Sequence, residues 1–290
     1  MSATMRLLIA ALGGEGGGLL TDWLVEAARR DGLAAQATSV PGVAQRTGAT
    51  TYYLEFARPD HSGRAPVFAL MPVAGDVDLV VASELLEAAR MAERGFIAPD
   101  RTFLLASSHR VLTTREKMAA GDGRFDSGAL TRALETASRE RLLLDAKGLA
   151  EVEDAPLNAV LCGALAGLDW LPIAAGTLRT VIASGGKAVE RNLRGFDAGL
   201  AAARGETAEA VAKSAPEAPP RLTIPAELEE RLDRIPDAVR EIARLGVARL
   251  IDYQDAAYAV LYLDRLEPFL DEPGLAREVA RHLAVRMAYE

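Results

Sequence analysis

The chain has 290 residues, half of them apolar, with a net charge of −8 and a pI near 5.2. It can bury one sizeable core and a second, smaller one, and it is too acidic for the basic face of a nucleic-acid binder. No run of about 18 apolar residues is present to span a membrane, and the N-terminus enters a strand directly without a signal peptide; a cytoplasmic protein with no membrane partner is expected. The single cysteine, Cys162, rules out an internal disulfide and any four-cysteine iron–sulfur cluster. Its place in the apolar run 157–168 predicts a buried thiol rather than a nucleophile. His61, His109 and His282 are far apart and lack the clustering of a zinc site, so no metal ligand is expected.

The first strand, Met5 to Leu12, runs into Gly13-Gly14-Glu15-Gly16-Gly17-Gly18 and then a helical pattern from Leu19 to Arg30. A strand, a glycine turn and a helix start bring free N–H groups and the positive helix end to one spot, suited to phosphate or carboxylate. The glycines are equally what a tight turn needs without a ligand. Read as G-x-G-x-x-G, the spacing puts Ala11 at the first glycine position. The second strand, Ala34 to Val40, ends without the acid that would hold a ribose hydroxyl, which disfavours NAD.

Next comes the loop Pro41 to Gly48, a glycine-flanked segment carrying Gln45, Arg46 and Thr47, with Arg46 a planar cation suited to an anion or a partner's carboxylate. Further strands are expected at 49–56, 67–71, 78–82, 102–106 and 142–145, with 49–56 and 67–71 forming a hairpin. Helices are expected at 84–94 and 127–139. Strands alternating with helices predict a doubly wound α/β domain with a mostly parallel, mixed sheet. After Asp145 the chain turns helical at 155–168, 177–183 and 187–203. In the last of these Val189, Leu193, Phe196 and Leu200 form a buried stripe and Glu190, Arg191 and Arg194 face water. Asn158 and Asn192 could position a ligand or partner, although capping and surface roles are commoner for asparagine.

Residues 205–225, with Pro216, Pro219, Pro220 and Pro225, read as an extended spacer closing a first domain at 1–204. A C-terminal all-helical extension follows over 226–290, with helices at 226–235, 238–245, 247–266 and from 275 onward. Tyr258 and Tyr262, one turn apart, read as a packing seam. No helix stop signal precedes Glu290, so the natural chain is expected to continue or to dock on a partner there.

Two stretches taken together, Leu12-Gly13-Gly14-Glu15-Gly16 and Ser39-Val40-Pro41-Gly42-Val43-Ala44-Gln45-Arg46-Thr47-Gly48-Ala49-Thr50, resemble the gamma module of 2-oxoacid:ferredoxin oxidoreductases, most closely that of the indolepyruvate enzymes. Residues 157–167 and 187–199 extend the resemblance, which covers roughly 5–204. The helical part resembles the region following this module in long versions of the subunit. Ala11 and Glu15 depart from the family pattern, and a carboxylate at 15 opposes a phosphate at the helix end.

The resemblance implies a reaction in which a 2-oxoacid is decarboxylated on thiamine diphosphate, electrons pass through iron–sulfur clusters to ferredoxin, and an acyl-CoA leaves. This chain lacks the thiamine motif and the cluster cysteines, so thiamine diphosphate, magnesium and the clusters are expected on a larger partner subunit, with CoA as co-substrate of the complex. No catalytic residue is expected here. The residues expected to face substrate, CoA or partner are Gly13, Gly14, Glu15, Gly16, Gln45, Arg46, Thr47 and Gly48. Two other readings stand beside this one: a free-standing, nucleotide-binding, Rossmann-like oxidoreductase, and a purely structural assembly subunit.

Overall fold

The computed structural model describes residues 4–40, 49–58, 66–114, 116, 123–168, 170–186, 188–206 and 224–289. The chain divides into two compact units, Met1–Pro216 and Glu217–Glu290. The expected spacer at 205–225 falls mostly outside the described residues.

The first unit is built on six strands: β1 (Met5–Leu12), β2 (Ala34–Val40), β3 (Ala49–Ala57), β4 (Leu79–Ala82), β5 (Phe103–Ser107) and β6 (Glu140–Leu144), in the order β2-β3-β1-β4-β5-β6. Strands β1, β4, β5 and β6 are parallel. β3 lies antiparallel to both β1 and β2, which makes the sheet mixed. The expected hairpin between 49–56 and 67–71 does not form. Residues 66–69 have no regular structure, and this stretch is tied down by side chains: Gln36 Nε2 donates to the Ala69 carbonyl at 3.1 Å, and Thr38 Oγ1 to that of Leu70 at 2.8 Å. Glu55 accepts from the Ala69 N–H at 2.9 Å. The strap's apolar residues point outward, Val67 being 97% exposed, so the run that suggested a strand has no sheet to enter.

Both faces of the sheet are apolar because alternate residues point to opposite sides. Leu7, Ile9, Leu54, Phe56, Val81 and Leu105 meet α1 (Gly17–Arg30) and a helical layer on one side. Leu8, Ala10, Tyr53, Val80 and Leu104 meet α2 (Leu85–Glu93) and α3 (Ser127–Ala137) on the other. Glu84 caps α2 by accepting from the Glu87 N–H at 2.6 Å, and Asp126 caps α3 through the Gly128 N–H. Glu116, buried, accepts from the N–H groups of Thr113 and Phe125 and from the Arg110 guanidinium. Burial pushes its carboxyl up, but those bonds outweigh it and hold it down at about 2.

After α4 (Ala146–Val152) come α5 (Leu157–Ala166), α6 (Ala175–Ala183) and α7 (Val189–Ala203). α5 and α7 pack backbone to backbone. Gly163 faces the Phe196 carbonyl and Gly199 the Val160 carbonyl so closely that a methyl group on either glycine would overlap that oxygen. The fully buried line of α7 is therefore Asn192, Gly195, Phe196, Gly199 and Ala202, while Val189, Leu193 and Leu200 are half-buried. The expected leucine and valine stripe is displaced because small residues set the approach distance. Glu190, Arg191 and Arg194 are exposed as expected, with Arg191 and Arg194 donating to Asp154 and Glu153 carbonyls.

The second unit is helical: α8 (Ala226–Asp233), α9 (Asp237–Tyr253), α10 (Ala256–Leu266) and α11 (Pro273–Tyr289). The expected break near Gly246 is absent. α9 runs through it, because the missing side chain makes room for Tyr262, whose hydroxyl would lie 2.6 Å from a methyl group there. The break falls at Gln254, where Asp255 caps α10 through the Tyr258 N–H at 2.8 Å. Tyr258 and Tyr262 donate to the carbonyls of Met287 and Ala280, fastening α10 to α11. Among the described residues, no helix is long and apolar enough to cross a membrane.

Candidate functional site

The carboxyl ends of β1, β4 and β5 meet at the glycine turn, the place where parallel sheets gather ligands. Gly14 (φ 90°) and Gly16 (φ 77°) hold left-handed conformations that suit glycine. Gly16 is the N-cap of α1 and supplies no side-chain cap. Gly17 is glycine for space, since a methyl group there would lie 2.7 Å from both the Ala11 Cβ and the Tyr52 ring. Gly13 and Gly14 are exposed, and a methyl group on either would meet nothing within 4 Å.

Glu15 does not point at the helix start. Its Oε2 accepts from the Leu12 N–H at 3.1 Å and from the Ser83 hydroxyl, and Oε1 lies 3.8 Å from His109 Nε2. The other ring nitrogen of His109 is 2.7 Å from Ser107 Oγ. Burial pushes the Glu15 carboxyl up, but the His109 imidazole beside it and the bonds from Ser83 and Leu12 outweigh it and keep it below the usual carboxylate range. Nearby, Glu87 is pushed up by burial and by the charges of Glu84 and Glu15, with Arg90 as its counter-charge.

Of the eight expected site residues, Gly13, Gly14, Glu15 and Gly16 form this turn, whereas Gln45, Arg46, Thr47 and Gly48 lie outside the described residues. The strands flanking that loop are described: Ala49 is in register with Leu12, and Val40 with Thr51. The described end of β3 thus lies beside the turn. Asn158 and Asn192, for which capping and surface roles are the commoner expectation, are both buried, at 3% and 5% exposure. Asn158 presses on Gly16, where a methyl group would come within 2.6 Å of its Cγ. Ser83, His109 and Tyr52 were not singled out for this site by sequence reasoning, whereas Asn158 was weighed as a residue that could position a ligand or partner. The signal available for Ser83 and His109 was position, since each follows the carboxyl end of a parallel strand.

The donor set does not suit an iron–sulfur cluster. The single thiol, Cys162, lies inside α5 with its pKa pushed up by burial alone. Among the described residues, no group of three or more His, Cys, Asp or Glu is placed to hold a metal ion.

A family model for pyruvate ferredoxin/flavodoxin oxidoreductase matches residues 6–202, the span that carries the sheet, the turn and the α5–α7 contact. The chain belongs to the pyruvate ferredoxin/flavodoxin oxidoreductase family. A second model, for a family of unknown function (DUF6537), matches residues 239–290. Among curated proteins, none matches this chain.

Similar solved structures include a 2-oxoglutarate:ferredoxin oxidoreductase from Magnetococcus marinus with 2-oxoglutarate, coenzyme A and succinyl-CoA bound, at 18% identity and TM-score 0.49 over 91% of this chain and 41% of that one. A pyruvate oxidoreductase subunit from Thermotoga maritima matches at 17% identity and TM-score 0.44 over 68% of this chain and 94% of its own. The gamma subunit of a keto/oxoacid ferredoxin oxidoreductase from Geobacter sulfurreducens matches at 16% identity and TM-score 0.46 over 69% and 98%. This family member thus spans about two fifths of the Magnetococcus chain it matches.

Proposed function

We propose that this chain is the subunit of an indolepyruvate, or other aryl 2-oxoacid, ferredoxin oxidoreductase that carries neither thiamine diphosphate nor iron–sulfur clusters. Its larger partner holds both, with magnesium, and passes electrons to ferredoxin. The observation that carries the reading is the open glycine pair. Gly13 has no positive φ and, among the described residues, no neighbour that its missing side chain would touch, and in this reading its smallness serves an approaching partner or ligand. Leu19, 45% exposed on the first turn of α1, adds an apolar contact beside it.

In this reading the turn and the loop 41–48, whose sequence runs into Ala49 opposite Leu12, close over the partner's active site. Closure excludes water from a reactive acyl intermediate and controls the entry of CoA, work that needs positioned backbone and one cation rather than an acid or base from this chain. Arg46 is the anion contact and Gln45 its hydrogen-bonding neighbour.

The test is co-purification of the full-length protein from its own cells, followed by arylpyruvate- and CoA-dependent dye reduction. Recovery of a thiamine-diphosphate, iron–sulfur partner with that activity is expected, and Arg46→Ala should slow turnover by the complex without changing its assembly. A chain that emerges alone, or an Arg46→Ala complex with parental kinetics, would count against the assignment.

A further inference from the structure

The two edges of the six-stranded sheet are built differently. At one edge β6 is five residues long and begins Glu140-Arg141, with Arg141 paired to Glu135 at 2.7 Å and Arg139 to Glu140 at 3.7 Å. Charges on a short edge strand keep other strands away. At the other edge β2 is seven residues long and reads Ala-Ala-Gln-Ala-Thr-Ser-Val, with no charge and no proline. One row of its backbone N–H and C=O groups has no strand partner among the described residues. Over this strand lies the strap, fixed by Gln36 and Thr38, and its Val67, Leu70 and Met71 are 97%, 68% and 56% exposed. An open, uncharged edge beside an apolar shelf is a place where a further strand adds.

We propose that this edge pairs with the β2 edge of a second copy of the chain, antiparallel and centred on Ala37, so that the two sheets run on as one. Centred there, every residue of the strand finds an opposite: Ala37 faces its own counterpart, Gln36 faces Thr38, Ala35 faces Ser39 and Ala34 faces Val40. A two-fold axis sets like against like, so a charged edge would repel itself. This edge carries no charge, although the chain has a net charge of −8. The axis stands perpendicular to the sheet, which leaves both straps on the same face, side by side, and brings their exposed Val67, Leu70 and Met71 together. A lone peptide strand would satisfy the edge but leave that shelf in water. The pairing uses the edge of the sheet and not the glycine turn, so it stands or falls apart from the subunit assignment.

Sedimentation equilibrium of the full chain at micromolar concentration is expected to give a dimer. Ala37→Lys puts two like charges at the axis, on an exposed position, and should weaken the dimer at least ten-fold with an unchanged thermal melt. Disulfide formation tests the register. Cys162 is buried, so the Ala37→Cys chain has one accessible thiol, which should cross-link to its copy on mild oxidation. Ser39→Cys should not, since its two thiols would stand roughly 14 Å apart at about 3.4 Å per residue. A parent that sediments as a monomer, a dimer that Ala37→Lys leaves intact, or a Ser39→Cys chain that cross-links as fast as Ala37→Cys overturns the proposal. A monomeric parent whose co-purifying subunit is lost on Ala37→Lys assigns the edge to that subunit and overturns it equally. Should Ala37→Lys fail to fold, the mass of the parent and the two cysteine variants still decide it.

Discussion

Two glycine-rich regions of the first unit invite comparison. Between α5 and α7, Gly163 and Gly199 are small because the facing backbone carbonyls leave no room for a methyl group, and Gly195 because Ala155 lies 2.8 Å from where one would sit. At the crest of the sheet, Gly13 and Gly14 have open space where a side chain would be. Gly14 still answers to its own backbone, whose φ of 90° suits glycine, so in the reading proposed above it is Gly13 whose smallness serves an approaching partner or ligand. Fold and function separate at the level of single methyl groups.

The comparison breaks first, and hardest, at the helix contact. Gly163→Ala or Gly199→Ala forces α5 and α7 apart, and each should cost about 3 kcal/mol or more, at the upper end of overpacking penalties. A thermal melt reads this directly; a variant as stable as its parent would mean that the close approach does not hold. Gly17→Ala tests the inner half of the crest, where a methyl group would press on Ala11 and Tyr52. One of those neighbours is a ring that can shift, so a smaller loss of about 2 kcal/mol is expected. Gly17 then groups with the helix contact rather than with Gly13, although it lies only four residues away in sequence.

Much of the fold was legible because its signals are periodic. The apolar run of β1, the alternation of strands with helices and the helical spacing in α1 and α2 are local patterns that packing then confirms. What escaped was non-local. The run 67–71 has the composition of a strand, but β3 already has β1 and β2 on its two edges, and no sequence pattern states that an edge is taken. The small-residue line of α7 was hidden because glycine scores as a breaker, not as a contact. At the site, the glycine turn was visible, whereas Asn158 meets Gly16 and His109 meets Glu15 from far along the chain, about 142 and 94 residues on, which only the fold brings near.

Glu15 sharpens the comparison from within the crest, because it faces inward while its neighbours Gly13 and Gly14 face out. Its folded carboxyl lies below the ordinary value, so its contribution to stability is present above the unfolded pKa and is lost as pH falls through the folded one. Glu15→Gln should therefore lower stability at neutral pH by about 1 kcal/mol, the scale of one hydrogen bond lost or weakened. The difference between variant and parent should shrink as the medium is acidified below the ordinary carboxylate range. Unfolding free energies from denaturant titrations at several pH values check this, and a difference that grows toward acid would contradict the hydrogen-bonded arrangement with Ser83 and Leu12.

The smallest effect on the fold is expected at Gly13, and it is the one that separates the two regions. Its backbone needs no left-handed conformation and a methyl group would touch nothing, so Gly13→Ala should leave the melting temperature of the chain within the scatter of ordinary surface substitutions, about 0.5 kcal/mol. If the turn faces a partner or ligand as proposed, the same methyl group would stand in its path in the assembled enzyme, and turnover should fall several-fold although the chain itself is intact. If turnover is unchanged, Gly13 is free space and nothing more, and the crest owes its glycines to the turn alone. If turnover falls while assembly, measured by co-purification, is unaffected, the approach is made during the catalytic cycle rather than in the resting contact, which is the behaviour that distinguishes a closing face from a scaffold.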